Sequence, residues 1–199
     1  MAGMKKKNNG IFIKEGFKNI REVGTICSTS RFAAKAMAPG IKADDEPKVV
    51  VELGVGTGSI TKEILKHLRP EDCYIGIEAN DKFLEVCKDG FCENRNISVN
   101  FEHGLAQNIK EILKKYKIKE VDEIICTIPF RILPKRDTKE ILQNVRKSLK
   151  KNGYFTFIRY LWAPENKEIF KELSDFAVAD KEIIMRNIPP AEVIKMRRN

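Results

Sequence analysis

The sequence contains no long apolar run, and none of its hydrophobic stretches approaches the roughly 18 residues of a membrane-spanning helix. It also lacks a charged-then-apolar leader with a small-residue cleavage site, so the expectation is a cytoplasmic chain. Histidine is scarce: His67 and His103 are the only two, and neither has a metal-ligating partner at useful spacing. The five cysteines, Cys27, Cys73, Cys87, Cys92 and Cys126, form no C-x-x-C pair, which favours reduced, packed thiols over disulfides. No metal is expected. No internal repeat appears, and 199 residues suit one domain with a short appendage.

Positive charge, by contrast, is in excess, with a formal net charge of +9. A basic surface attracts phosphate, whether in nucleic acid or on an anionic membrane leaflet, so charge alone does not choose between them.

The most informative stretch is Val49-Val-Val-Glu52-Leu-Gly54-Val-Gly56-Thr57-Gly58-Ser-Ile-Thr. Three β-branched residues run into a carboxylate and then into alternate glycines, and an apolar helix-compatible segment, Ile60 to Leu68, follows. This predicts a buried strand, a tight turn and a helix start, the order in which a parallel α/β sheet grips a nucleotide-like ligand. A second strand, Cys73 to Glu78, ends in an acid about twenty residues after Gly58, placed to accept ribose hydroxyls.

Further elements follow in order. Asp81 is expected to cap a helix through Val86, and Ile97–Phe101 alternates as a third strand. A helix from Gln107 to Tyr116 leads to the strand beginning at Val121, which closes on Cys126-Thr127-Ile128-Pro129-Phe130. Arg136 to Leu149 reads as an amphipathic helix stopped by Lys150-Lys151-Asn152-Gly153 in the manner of a glycine cap. Tyr154 to Tyr160 is a fifth strand, Ile169 to Leu173 a short helix, and Phe176–Met185 with Ala191–Met196 an antiparallel pair. Near the start, Ile13, Phe17, Ile20 and Val23 recur at helical spacing, with Lys14, Lys18 and Arg21 on other faces. Such a basic amphipathic helix either packs on the core or lies in a membrane interface, and the pattern leaves both open.

The E-x-G-x-G-x-G run resembles motif I of the class I S-adenosylmethionine-dependent methyltransferases. The segment Val23 to Met37, the T-I-P-F run and the closing Asn187-Ile-Pro189-Pro190-Ala-Glu-Val resemble bacterial phospholipid N-methyltransferases, relatives of the rRNA adenine dimethylases. The resemblance runs from about Ile11 to the end. It implies a Rossmann-like α/β fold: a seven-stranded, mostly parallel sheet with flanking helices and an N-terminal amphipathic arm. Residues 1–46 would be the arm and cofactor-covering segment, and 47–199 the S-adenosylmethionine-binding domain.

By the same resemblance, Glu52, Gly54, Gly56, Thr57, Gly58, Glu78, Leu105, Ala106 and Cys126 would hold S-adenosylmethionine. Thr127, Pro129, Phe130 and Tyr160 would shape the acceptor site, with no general base identified. Ser28, Thr29, Ser30 and Arg31 would cover the substrate, and Ile13, Lys14, Phe17, Lys18 and Ile20 would meet the membrane. Three departures stand out: Ser28 replaces a usual proline, Leu105 an adenine-binding Asp or Asn, and Thr127 the Asn of adenine enzymes. The expected reaction is N-methylation of a phosphatidylethanolamine-like headgroup by a protein peripheral on the cytoplasmic face of an anionic membrane. An RNA or small-molecule methyltransferase, or a non-catalytic cofactor-binding protein, is the alternative; nucleic acid fits Thr127 less well.

Overall fold

The computed structural model describes residues 29–38, 46–91, 97–162 and 167–199. The arm residues Ile13, Lys14, Phe17, Lys18 and Ile20, and Ser28, lie outside the described residues. In chain order the elements are α1 (Arg31–Met37), β1 (Val49–Leu53), α2 (Ser59–Ile64), β2 (Cys73–Glu78), α3 (Asp81–Phe91) and β3 (Ser98–His103). After a 3-10 turn, Ala106–Asn108, come α4 (Ile109–Lys115) and β4 (Val121–Cys126). A second 3-10 turn, Phe130–Ile132, precedes α5 (Lys135–Ser148), β5 (Leu149–Tyr160), α6 (Lys167–Glu172), β6 (Phe176–Ile184) and β7 (Ala191–Arg198).

The seven strands lie in the order β3-β2-β1-β4-β5-β7-β6. The first five are parallel; β7 runs antiparallel between β5 and β6. This is the expected mostly parallel sheet, and it puts the chain reversal beside β1, where the strand order switches between β1 and β4. Ligands of open α/β sheets bind at such a switch, outside the carboxyl ends of the strands.

Period-two alternation splits β1 between two apolar layers. Val51 and Leu53 pack on one face with Ile75, Ile77, Ile124 and Phe155, beneath Ile141, Leu142 and Val145 of α5. Val50 packs on the other with Tyr74 and Ile125, beneath Ala33, Ala34 and Met37 of α1 and Ile60 and Ile64 of α2. Each fully buried aliphatic side chain contributes about 1.5–3 kcal/mol, so both layers are needed to hold the sheet.

Several local expectations shift. The helix after the glycines stops at Ile64, although Leu65 and Leu68 beyond it remain buried. α3 runs on to Phe91, whose ring packs 6.3 Å from Phe101, and its cap is Asn80: that side chain accepts from the Lys82 N–H at 3.0 Å. Asp81 instead meets His103 at 3.1 Å. Lys150 to Gly153 do not form a glycine cap. The chain passes straight from α5 into β5, and a register shift between Val121 and Glu123 absorbs the extra residues.

Candidate active site

β1 ends in the glycine turn because the chain must leave the strand sharply; Gly54, Gly56 and Gly58 adopt φ of 83°, 57° and 80°. At Gly54 an added Cβ would sit 2.9 Å from Ile128 Cγ1 and 3.0 Å from Thr127 Oγ1, so a side chain is excluded by both dihedral and space. At Gly58 the obstacle is the Phe91 ring, 2.3 Å from such a carbon. Thr57, between them, is exposed.

Glu78 ties this turn to β2. Its Oε2 accepts from the Gly56 N–H at 2.8 Å and its Oε1 from the Asn80 N–H at 2.9 Å. A carboxylate has about four lone-pair sites. Two organise the backbone, and the others remain for a ligand in the pocket that Glu78 lines. That pocket opens at the carboxyl ends of β1 to β4, between Gly54, the turn Gly104 to Gln107, and the apolar side chains of Ile77, Ile128, Leu133 and Ile141. Leu105 and Ala106 line it, as does the buried Gln107. Leu133 and Ile141 carry no local sign of a site; they reach it only because α5 folds over this face of the sheet.

Of the expected cofactor residues, Gly54, Glu78, Leu105 and Ala106 line the pocket; Gly56, Thr57 and Gly58 belong to the turn beside it, and Glu52 and Cys126 are buried apart from it. Glu52 is fully buried under α2, where its Oε2 accepts from the Tyr74 hydroxyl at 2.5 Å and the Thr61 hydroxyl at 2.8 Å. Its Oε1 has no hydrogen-bond partner. Burial raises its pKa from 4.5 to about 7 against those two hydrogen bonds, with the charge of Glu78 adding to the rise. Burial, with Glu52 beside it, also holds the Tyr74 phenol well above its ordinary value. Burial pushes the Cys126 thiol up to about 12, so it stays neutral, with the Ile128 N–H bonded to it.

The loop after β4 is tied inward. The Thr127 N–H donates to Leu53 O at 3.0 Å, and the Thr127 hydroxyl donates to Gly54 O, with Leu53 O also within 3.3 Å. Ile128 N–H goes to Cys126, and Pro129 has no N–H. The hydrogen-bond donors of residues 127 to 129 are therefore taken up, and what remains toward a ligand is oxygen lone pairs. Phe130 is 5% exposed and packs edge-on against Phe157, with centroids 6.5 Å apart. It belongs to the core more than to the pocket wall. Tyr160 stacks on Trp162 at 6.2 Å, farther along the rim.

At the same sheet end, Ser30 caps α1 by accepting from the Ala33 N–H at 3.2 Å. Its own N–H donates to Asn187 Oδ1 at 3.0 Å, and Asn187 Nδ2 donates to Pro189 O at 2.7 Å. The two segments quoted for the family resemblance at opposite ends of the chain thus form one clasp. Arg31 is exposed beside it, its guanidinium 4.8 Å from the Phe32 centroid, and Thr29 is half-buried. Among the described residues no group of three or more His, Cys, Asp or Glu could hold a metal ion.

Comparison with known proteins adds to this geometry. The family described as "Methyltransferase domain" matches residues 50–153. An ornithine lipid N-methyltransferase of Singulisphaera acidiphila is 26% identical over 184 residues, covering 91% of each chain. A malonyl-[acyl-carrier protein] O-methyltransferase of Halalkalibacterium halodurans is 30% identical over 142 residues, 71% of this chain and 48% of that one. Among solved structures, the magnesium protoporphyrin IX methyltransferase of Synechocystis PCC 6803, solved with bound S-adenosylmethionine, superposes with a TM-score of 0.62. Its 12% identity, over 99% of this chain and 87% of that one, speaks for the fold.

Proposed function

The chain belongs to the methyltransferase-domain family and is an S-adenosylmethionine-dependent methyltransferase, and from that premise we propose that its acceptor is the amine of a membrane-lipid headgroup. The observation that carries the amine is the donor-free loop at residues 127–129. A carboxylate acceptor would need N–H or O–H groups to hold it, whereas an amine brings its own N–H donors to oxygen lone pairs. The relative acting on ornithine lipid, similar along nearly its whole length, supports a lipid amine.

The residues fit the cofactor on two grounds: Glu78 has acceptor sites left for a ribose diol, and the Gly54 turn leaves its backbone open to close approach. Leu105 and Ala106 would form an apolar wall, and Gln107, which lines the same pocket, a backbone carbonyl or Asn108 would stand in for the missing Asp or Asn toward adenine. When bound there, S-adenosylmethionine would supply an electrophilic methyl group for the acceptor nitrogen. The protein's part is alignment and exclusion of water. Thr127 fixes the acceptor loop to the cofactor turn, and the apolar Ile128, Leu133 and Ile141 keep the pocket dry. Burial keeps the Cys126 thiol neutral, so it does not serve as the base that the amine, which must lose its proton before attack, requires.

In this reading residues 1–46 are the arm: Ile13, Phe17 and Ile20 enter the membrane while Lys14 and Lys18 meet anionic headgroups, and Ser28, Thr29, Ser30 and Arg31 border the substrate. The protein works as a peripheral one on the cytoplasmic face. No helix among the described residues is long and apolar enough to cross a membrane. The net charge of +9 also suits an RNA substrate, which is the second reading. Radiolabelled S-adenosylmethionine is offered with aminolipid vesicles, bulk RNA and a water-soluble metabolite extract. Label in the lipid fraction is expected. Label confined to RNA or to soluble products refutes the lipid acceptor.

A further inference from the structure

Of the large apolar side chains exposed among the described residues, all but Val86 and Val178 belong to two short stretches: Leu161 and Trp162, and Ile183, Met185 and Ile188. Tertiary structure brings the stretches together. β5 outruns β4, since Phe157 is level with Cys126 and Tyr160 lies three residues farther on. Tyr160 pairs with Ala191, which pairs in turn with Ile184, and the Leu161 N–H donates to Pro190 O at 3.0 Å. The turn 185–190 and the end of β5 therefore share the sheet end at which the pocket opens.

The exposure is large: 56% for Trp162, 68% for Met185 and 81% for Ile188. Cations accompany the apolar groups. The Arg131 guanidinium, directly after the 127–130 loop, lies 5.0 Å from the Trp162 ring centroid. Arg186 and Arg31 lie 5.0 Å and 4.8 Å from the centroid of Phe32. Glu192, the carboxylate at this end of β7, is paired with Arg159 at 2.6 Å. Aromatic and aliphatic side chains interleaved with arginines are suited to the headgroup boundary of an anionic bilayer, where rings and methylenes leave water while the guanidiniums stay at the phosphates.

We propose that Leu161, Trp162, Met185 and Ile188 form a second membrane contact, separate from the arm, that seats the pocket opening against an anionic lipid surface. The proposal rests on the lipid-acceptor reading and adds the face by which the folded domain meets its substrate. It also gives the position of Trp162 a reason: as neighbour of both Arg131 and Tyr160, it joins the lipid contact to the acceptor loop.

Trp162 is the one tryptophan in the chain, so the wild-type protein reports on this rim directly. Its fluorescence is recorded with phosphatidylglycerol/phosphatidylcholine vesicles, with and without brominated acyl chains, beside vesicle co-sedimentation. A blue shift and quenching by the brominated lipid are expected. The M185S/I188S double variant should keep the wild-type thermal midpoint and its methyl transfer to a dissolved short-chain aminolipid, while vesicle affinity falls at least tenfold. Co-sedimentation without shift or quenching overturns the rim and leaves the lipid acceptor standing. A shift that grows with protein concentration in the absence of vesicles assigns the rim to a second copy and overturns it. Failure to sediment also overturns it, and methyl transfer to the dissolved aminolipid then decides separately whether the acceptor reading falls too.

Discussion

Replacing Glu52 by glutamine tests the reading of the buried carboxylate beneath the glycine turn. With an ordinary pKa of 4.5 and a native value of about 7, Glu52 retains a proton in the folded protein over a pH range where the unfolded chain has lost it. The native state binds more protons there, so stability falls as pH rises. The favourable contribution of the protonated group is fully present below pH 4.5 and is lost as pH passes through about 7. A separation of about 2.5 pKa units, at about 1.36 kcal/mol each, corresponds to roughly 3 kcal/mol. Glutamine matches the protonated acid in shape and never ionises. Its carbonyl can take the place of Oε2 toward Tyr74 and Thr61, leaving its amide where the unpartnered Oε1 lies. Urea unfolding followed by circular dichroism at intervals from pH 4.5 to 8.5 measures the difference, with all other titrations common to both proteins. Near pH 4.5 the two should be about equally stable. By pH 8 the Glu52→Gln protein should be ahead by up to about 3 kcal/mol. A gap that stays constant across this range, or a variant weaker than wild type at pH 8, refutes the assignment of a strained, desolvated carboxylate.

Glu78→Ala removes the acceptor for the Gly56 and Asn80 N–H groups together with the sites left for a ribose, so S-adenosylmethionine affinity should fall by about 1.5–3 kcal/mol. Calorimetric titration of a folded variant with unchanged affinity would put the cofactor elsewhere. Gly54→Ala adds a carbon at φ 83° within 3.0 Å of both Ile128 and Thr127, and should lower stability by at least about 1 kcal/mol and separate the turn from the acceptor loop. A thermal midpoint equal to wild type with full methyl transfer would show that this contact is dispensable.

What could be read in the sequence was what short-range chemistry specifies. The Val49–Leu53 strand, the alternate glycines and the acid at Glu78 lie in one βαβ unit, and dihedral preference and side-chain period act within a few residues. The sheet class and the terminal hairpin followed from the same periods. Capping was harder. Asp81 and Asn80 are adjacent and equally able, and the contact of Asp81 with His103, from the neighbouring strand β3, goes with Asn80 taking the cap. Lys150 to Gly153 look like a helix stop, but strand pairing with β4 draws them into β5.

The site itself was decided at longer range. The sequence has a threonine at position 127; only packing of β1 against β4 turns its hydroxyl proton to Gly54 and leaves the loop without donors. Glu52 precedes the glycines in the chain, yet strand alternation directs it to the layer away from the pocket, where burial controls its charge. Ile141 enters the pocket from α5 and Leu133 from the loop just before it, and Ser30 meets Asn187 across 157 residues. Local sequence sets backbone conformation because steric preference is local; which groups lose water and which donors find partners depends on surfaces that meet only after the chain has folded.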